Sequence, residues 1–361
     1  MLGSKRAIAS TITRLRGRSL ASITIQLRAL TAPIKESDRI KALQNRITPN
    51  AEVEKFADNA SVEQVWDRLT REREDGQESS TRKWANVLIR EKIVSSEQEM
   101  IDFMGTLKFQ GRAVSDVRRE FKDHYRPELL NLINSQATSE LRYQKMRQIA
   151  ESLDVQSQGD FSESWYQQEF APSRIDPNSG KQVPNTTQAV LSVEDARINY
   201  GIELETKENR RFDEVFGSEN SATIREHKHV SGKLGADQIT QFDDNIQIVQ
   251  HNRRIDEKIA GGEPLSKSPQ DTPVIIEKDG KKFRPKQVMY TFATPEGVKA
   301  NRKWMIAELN RPSNRDILSF EIINSKGEKK LINKNNISDL EEQKLSQWLN
   351  FTPSNNSINA P

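Results

Sequence analysis

Two consecutive segments in the C-terminal half alternate between apolar and charged residues, and they predict a pair of neighbouring strands. They span residues 210–216 and 222–230 and are separated by a short turn. Alternate side chains of a strand share a face, so Glu226 and Lys228 project together and the residue between them points away. Asp213, on the first strand, then completes a carboxylate pair with Glu226. The pattern therefore predicts two acids and a lysine at one place on a sheet.

These residue types suit the metal-dependent hydrolysis of a phosphodiester. Two carboxylates supply the oxygen ligands that Mg²⁺ prefers, and the ion keeps waters that leave room for a phosphate oxygen and an attacking water. Lys228 could orient that water or help to deprotonate it, and its charge would offset the charge of the transition state. The predicted catalytic residues are Asp213, Glu226 and Lys228, and the predicted cofactor is Mg²⁺ or Mn²⁺.

The acid followed by Glu-x-Lys resembles the motif of the PD-(D/E)XK, or restriction-endonuclease-like, nucleases. With a glutamine-bearing helix after it, the motif is most similar to the toxin-type branch at the C-termini of bacterial polymorphic toxins. The resemblance covers residues 191–323, and Phe212 stands where the family motif has proline. It implies an α/β/α core with a mixed sheet, and a nuclease that acts on DNA with Asp213 and Glu226 as metal ligands. An RNA substrate such as a transfer RNA is the alternative.

The same resemblance extends the candidate site. It implies that Gln238 or Gln241, in the first turns of the following helix, supports the phosphate or the lysine through an amide hydrogen bond. It also implies an additional acid, Glu205 or Glu203, from a helix before the strands, with Glu205 as the candidate metal ligand. Contacts to nucleic acid are predicted for three basic residues, namely Arg211, His229 and Lys233.

The order of predicted elements decides the fold class. A helix starts at Ser192, and the strand pair follows it. After Gly235 comes a helix with an apolar stripe, then a strand over 287–293, a helix over 295–309 and a strand over 317–323. Upstream, helical periodicity runs from about residue 47 to 153. The chain is therefore predicted to be α+β overall, with a helical N-terminal region before an α/β/α core.

Three histidines offer a competing metal site. His227 and His229 would share one strand face, and His251 from the next helix could complete a zinc site or an HNH-like nuclease centre. This face is opposite to that of Glu226 and Lys228, so the two sites partly exclude each other. The chain has no cysteine to contribute a further ligand. The carboxylate site is the preferred hypothesis, and the histidine site remains open.

The first 35 residues hold seven Lys or Arg and no acid. Such a segment resembles a mitochondrial transit peptide, and it is also compatible with a secretion or loading signal, a membrane-surface helix or a nucleic-acid arm. The resemblance to polymorphic toxins implies synthesis in a bacterial cytoplasm and delivery into a target-cell cytoplasm, with mitochondrial import as the alternative. The implied partners are DNA or RNA, a cognate immunity protein, and a secretion apparatus or loading chaperone.

Composition and segment boundaries complete the prediction. The absence of cysteine excludes disulfides, the net charge of +3 permits nucleic-acid binding without requiring it, and no stretch is apolar enough for a transmembrane helix. A non-enzymatic adaptor that acts through its basic arm is the alternative of another class. The predicted segments are a flexible basic arm over 1–40, a helical delivery or docking domain over 41–155, a linker over 156–188, a nuclease domain over 189–345 and a disordered tail over 346–361.

Overall fold

The computed structural model describes residues 54–170, 185–206 and 209–349 of the chain. The predicted basic arm over 1–40 lies outside these residues, as does the predicted tail except for residues 346–349, which end a helix. The described residues form a single compact unit. The helical region and the sheet belong to this same unit.

The N-terminal region is helical, as the periodicity predicts. Ser61 starts the first helix with a capping box, in which its hydroxyl accepts from Gln64 N at 3.3 Å and Gln64 Oε1 accepts from Ser61 N at 2.9 Å. Trp66 and Trp84 are buried in the core of this region. The helices are α1 (Val62–Thr70), α2 (Ser80–Arg90), α3 (Glu97–Met104), α4 (Val114–Asn134), α5 (Ser139–Ala150) and α6 (Val155–Phe170).

Helix α6 differs from the linker predicted over residues 156–188. Phe161, Trp165 and Tyr166 recur at helical spacing, and all three are buried. Between them, Ser162 is also buried, and Glu163 and Ser164 are half-buried. The prolines that suggested a linker come only after the helix has ended. Residues 171–184 lie outside the described part of the chain, and a strand follows them.

A mixed six-stranded sheet forms the centre of the C-terminal half and confirms the predicted fold class. Its strand order is β1-β2-β3-β6-β7-β8. Strands β1, β2 and β3 pair antiparallel, β3, β6 and β7 pair parallel, and β8 is antiparallel to β7. The sheet strands are β1 (Asn185–Leu191), β2 (Arg210–Ser218), β3 (Ser221–Lys228), β6 (Pro285–Phe292), β7 (Leu318–Ile323) and β8 (Lys329–Ile332), and β4 (Ile276–Lys278) and β5 (Lys281–Phe283) form a separate hairpin.

Helices pack on both faces of this sheet. On one face Phe242 of the long helix after β3 meets Tyr290 of β6, with ring centroids 5.3 Å apart. On the other face the Tyr143 hydroxyl of α5 donates to Ala293 O at 2.8 Å. The helical region thus supplies one outer layer of a three-layer arrangement. The later helices are α7 (Val193–Tyr200), α8 (Ala236–Ala260), α9 (Pro295–Asn310) and α10 (Glu342–Leu349).

Candidate active site

Strands β2 and β3 bring the three predicted catalytic residues together. Lys228 Nζ lies 3.0 Å from Glu226 Oε2 and 3.9 Å from Asp213 Oδ2. Asp213 Oδ2 also accepts from the backbone N–H of His227 at 2.8 Å. Because β3 is a central strand, its alternation places Glu226 and Lys228 toward α8 and His227 toward α6. The strand pairing therefore builds the acid, acid and lysine cluster that the sequence predicts.

The cluster borders a cavity. The side chains of Glu226 and Lys228 are 1% and 8% exposed, whereas that of Asp213 is 23% exposed. Asp213 is therefore the member through which solvent reaches the buried charges. The cavity has a volume of about 180 Å³ and is lined by Thr206, Asn209, Arg210, Arg211, Asp213, Glu226 and Gln241.

Glu226 is held by donors on both of its oxygens. Arg210 of β2 forms an ion pair with Oε1, and Asn245 of α8 donates to the same oxygen at 3.2 Å. Lys228 donates to Oε2. The Glu226 carboxylate is consequently fixed in one orientation at the cavity wall.

The surroundings shift the pKa values of the two carboxyl groups in opposite directions. Burial and then the charge of Glu226 raise the pKa of Asp213 to about 7. Burial acts in the same sense on Glu226, but Arg210 and Lys228 outweigh it and lower the pKa of that carboxyl. The pKa of Lys228 is raised, because Glu226 and Asp213 outweigh the effect of its burial. Lys228 is therefore charged near neutral pH, and Asp213 is the group that can exchange a proton there.

The two predicted glutamines have different roles. Gln241 lines the cavity, and its Oε1 lies 3.5 Å from Lys228 Nζ. Gln238 Oε1 instead accepts from Gly235 N at 2.9 Å and caps the start of α8. Gln241 therefore joins the cluster of Asp213, Glu226 and Lys228, and the amide of Gln238 caps the helix.

Glu203 and Glu205 do not lie on the helix that the sequence predicts. Helix α7 ends at Tyr200, because Gly201 adopts a left-handed conformation with φ of 62°. Both glutamates are exposed in the segment that follows. Asp244 of α8 accepts from Glu205 N at 2.7 Å. This part of the chain contributes Thr206 to the cavity wall and does not contribute Glu205.

A third acid, Glu163 of α6, reaches the cluster and was missed by the sequence analysis. Burial, followed by the charges of Asp213 and Glu226, raises its pKa to about 8. Its Oε1 accepts from Gln167 Nε2 at 3.0 Å and from Gln188 Nε2 at 3.3 Å. The available signal was the helical spacing of Phe161 and Trp165 around it, which the polar composition obscured.

The three residues predicted to contact nucleic acid are separated. Arg211 is exposed and lines the cavity. Lys233 is exposed in the loop between β3 and α8. His229 is half-buried, and burial followed by the charge of Arg147 lowers its pKa to about 4. His229 is therefore neutral near pH 7, and its interaction with Arg147 places it toward the helical region rather than beside Lys228.

The alternative histidine site is not assembled. His227 Nε2 lies 2.9 Å from the Ser162 hydroxyl of α6, and His251 Nε2 donates to Thr272 O at 2.8 Å. Within the described ranges, no group of three or more His, Cys, Asp or Glu side chains is arranged to hold a metal ion. A metal at the cavity would accordingly depend on two carboxylates, with other ligands from an amide or water.

The residues at the cavity fit a divalent cation of this kind. Asp213 Oδ2 is engaged by the His227 N–H, and Oδ1 accepts no hydrogen bond from the described residues. Glu226 is kept ionised, and burial together with the accumulated negative charge of Glu226 raises the pKa of Asp213 to about 7. A cation would relieve that accumulation, and carboxylate oxygens are hard ligands suited to Mg²⁺ or Mn²⁺.

Comparison with known proteins provides no relative for this chain. No family model matches it, and no match is found among curated proteins or solved structures. Over the parts of the chain that the structure describes, no helix is both long and apolar enough to span a membrane.

Proposed function

We propose that this chain is a metal-dependent nuclease that hydrolyses phosphodiester bonds of DNA, with Asp213 and Glu226 holding Mg²⁺ or Mn²⁺. The observation that supports the proposal is the convergence of Asp213, Glu226, Lys228 and Gln241 beside one cavity. Buried charged groups are costly unless they are paired, and they concentrate at functional sites. The resemblance of the Asp213 and Glu-x-Lys motif to the PD-(D/E)XK nucleases points to the same chemistry.

Each residue has a defined part in the proposed reaction. Asp213 and Glu226 would hold a divalent cation, whose charge would polarise the phosphate and lower the pKa of water. Lys228, held between Glu226 and Gln241, remains protonated and stabilises the charge that develops on the phosphate oxygens. Asp213, the more exposed of the two carboxylates, is the proposed metal ligand on the solvent side of the cavity. Arg211, exposed at the cavity rim, is the proposed contact to the nucleic-acid backbone.

The biological role follows only from the toxin-type resemblance. We propose delivery into a target-cell cytoplasm, a cognate immunity protein in the producing cell, and recognition of the N-terminal region by a secretion apparatus or loading chaperone. RNA as the substrate, import into mitochondria and a non-enzymatic adaptor role for the basic arm are the competing outcomes of the test.

The deciding experiment uses the full chain, because α6 contributes Glu163 and covers the sheet. Purified protein is incubated with supercoiled plasmid, and separately with total RNA, in Mg²⁺, Mn²⁺ or EDTA. We expect plasmid cleavage that EDTA abolishes, that Asp213→Ala and Lys228→Ala remove, and that Lys303→Ala on the exposed side of α9 leaves intact. Cleavage of RNA but not of plasmid would identify RNA as the substrate. Folded protein that cuts neither substrate would overturn the proposal and direct attention to deletion of residues 1–35.

A further inference from the structure

We infer that Asn245 and Arg210 are positioning residues that fix the Glu226 carboxylate in the one orientation in which it would serve as a metal ligand. The inference rests on the proposed function and extends it to residues that the sequence motif does not contain. Neither residue needs to touch substrate for this role, because each acts through Glu226.

The three side chains form a closed hydrogen-bonded triangle. Arg210 Nε donates to Asn245 Oδ1 at 3.1 Å, Asn245 Nδ2 donates to Glu226 Oε1 at 3.2 Å, and the Arg210 guanidinium pairs with the same Oε1. A primary amide donates through one atom and accepts through the other, so Asn245 can serve both charged partners at once. Both bonds to Glu226 end on Oε1. Rotation of the carboxylate is therefore blocked, and Oε2 remains on the side of Lys228.

Burial of these polar side chains costs free energy unless they bond to one another. Asn245 is fully buried, and Arg210 is 3% exposed. A buried polar network is tolerated when its members satisfy one another, and a half-satisfied network is destabilising. Asn245 also lies one helical turn after Gln241, which binds Lys228. One face of α8 thus contacts the lysine through Gln241 and the glutamate through Asn245.

Another buried asparagine on the same helix shows what a purely architectural amide does. Asn252 is fully buried, and its side chain bonds only to main-chain atoms, accepting from Val274 N at 2.7 Å and donating to Val274 O and Pro285 O. Asn252 ties the β4 side of the fold to α8 and does not contact the cluster. The two asparagines therefore form a matched pair that separates a structural role from a positioning role.

The test compares Asn245→Ala with Asn252→Ala in the full chain. Mn²⁺ binding is followed by electron paramagnetic resonance, and folding is followed by circular dichroism. We expect both variants to be less stable, while only Asn245→Ala binds Mn²⁺ more weakly, by roughly 10-fold to 100-fold, as for other residues that orient a metal ligand. On plasmid, kcat should fall for Asn245→Ala at matched Mn²⁺ concentration, with KM for DNA unchanged.

Arg210→Lys keeps the positive charge but loses the planar guanidinium that bonds to Asn245 and Glu226 together. It should weaken Mn²⁺ binding in the same way. Arg210→Lys therefore replaces Asn245→Ala in the test if Asn245→Ala does not fold. Folded Asn245→Ala or Arg210→Lys protein with wild-type Mn²⁺ affinity would overturn the inference alone. Wild-type protein that neither binds Mn²⁺ nor cleaves nucleic acid would overturn the proposed function, and the inference with it.

Discussion

Asp213 and Glu226 are acids of one cluster, yet their protons are held with different strength because their neighbours differ. Glu226 has Arg210, Asn245 and Lys228 as donors. Asp213 receives the His227 N–H at 2.8 Å, and Lys228 is more distant at 3.9 Å. The cluster thus separates a permanently charged carboxylate from one whose charge depends on pH.

The stability of the metal-free protein should depend on this difference. The folded state keeps a proton on Asp213 up to about pH 7, whereas an exposed aspartate loses it near pH 4. Between these values the folded state binds more protons, so the free energy of unfolding falls as pH rises, by about 1.4 kcal/mol per pH unit at most. Asp213→Asn should reduce this slope. Urea unfolding in EDTA at pH 5 and pH 7.5 measures it, and equal slopes in both proteins would contradict the prediction.

Lys228→Ala should lower the rate of plasmid cleavage by about 100-fold, a typical cost of removing one donor that stabilises transition-state charge. The substitution also removes the ammonium group that lies between Asp213 and Glu226, so the pKa of Asp213 should rise further. Cleavage rates are compared with those of Lys303→Ala at equal folded fraction. Activity of Lys228→Ala within a few fold of wild type would exclude a catalytic lysine.

Helix α6 connects the helical region to the site. Ser162 hydrogen-bonds to His227 on the face of β3 opposite to Glu226. The next residue, Glu163, is close enough to Asp213 and Glu226 for their charges to raise its pKa. Tyr166 of the same helix hydrogen-bonds to Glu321 of β7 and stacks its ring against Arg225, whose Cζ is 5.0 Å from the ring centroid. The helix is thus fixed by polar contacts as well as by its aromatic residues.

Glu163→Gln should make the metal-free protein much more stable at pH 9 and only slightly more stable at pH 4.5. The pKa of Glu163 is about 8 in the folded state, whereas an exposed glutamate titrates near pH 4, so between these values the wild-type folded state holds a proton that the unfolded state releases, and its stability falls as pH rises. Thermal melting at the two pH values measures the effect. Glu169→Gln is the matched control, since Glu169 on the same helix is paired with Arg142 at 2.9 Å and should not gain stability at high pH.

The sequence predicts those elements whose pattern is local and regular. Strands β2, β3, β6 and β7 and helices α8 and α9 alternate or repeat clearly, and Asp213, Glu226 and Lys228 follow from strand alternation alone. Glu163 and Asn245 could not be assigned in this way, because their roles depend on contacts with distant strands. The predicted helical position of Glu205 was wrong for a local reason, since Gly201 ends the helix before it.

At the scale of the whole molecule, the helical region and the sheet share a core. Ala293 and Ile323, from the sheet half, pack within the hydrophobic cluster of the N-terminal helices. The Tyr143 hydroxyl joins the two halves through Ala293 O. The predicted division into a helical domain over 41–155 and a nuclease domain over 189–345 remains a prediction, and these contacts argue that neither part is independent.

A fragment of residues 189–361 should therefore not fold cooperatively. It lacks part of β1 and all of α6, so the sheet face that carries His227, Arg225 and Glu321 would lose its cover. A fragment of residues 54–361 keeps every described element and should unfold in one transition. Circular dichroism during heating and size-exclusion chromatography compare the two. A soluble 189–361 fragment with a sharp transition would establish an autonomous C-terminal domain.

The parallel pairing of β3 with β6 also bears on when a newly made chain assembles its buried charged cluster. Synthesis proceeds from the N-terminus, so β3 leaves the ribosome as an edge strand, and Tyr290, which pairs with Glu226, is still missing. Until β6 has been made and paired, Glu226 and Lys228 are hydrated charges with ordinary pKa values, and such non-local pairing forms late. A nascent or prematurely terminated chain would thus carry Asp213, Glu226 and Lys228 without the buried cluster that the folded protein builds from them.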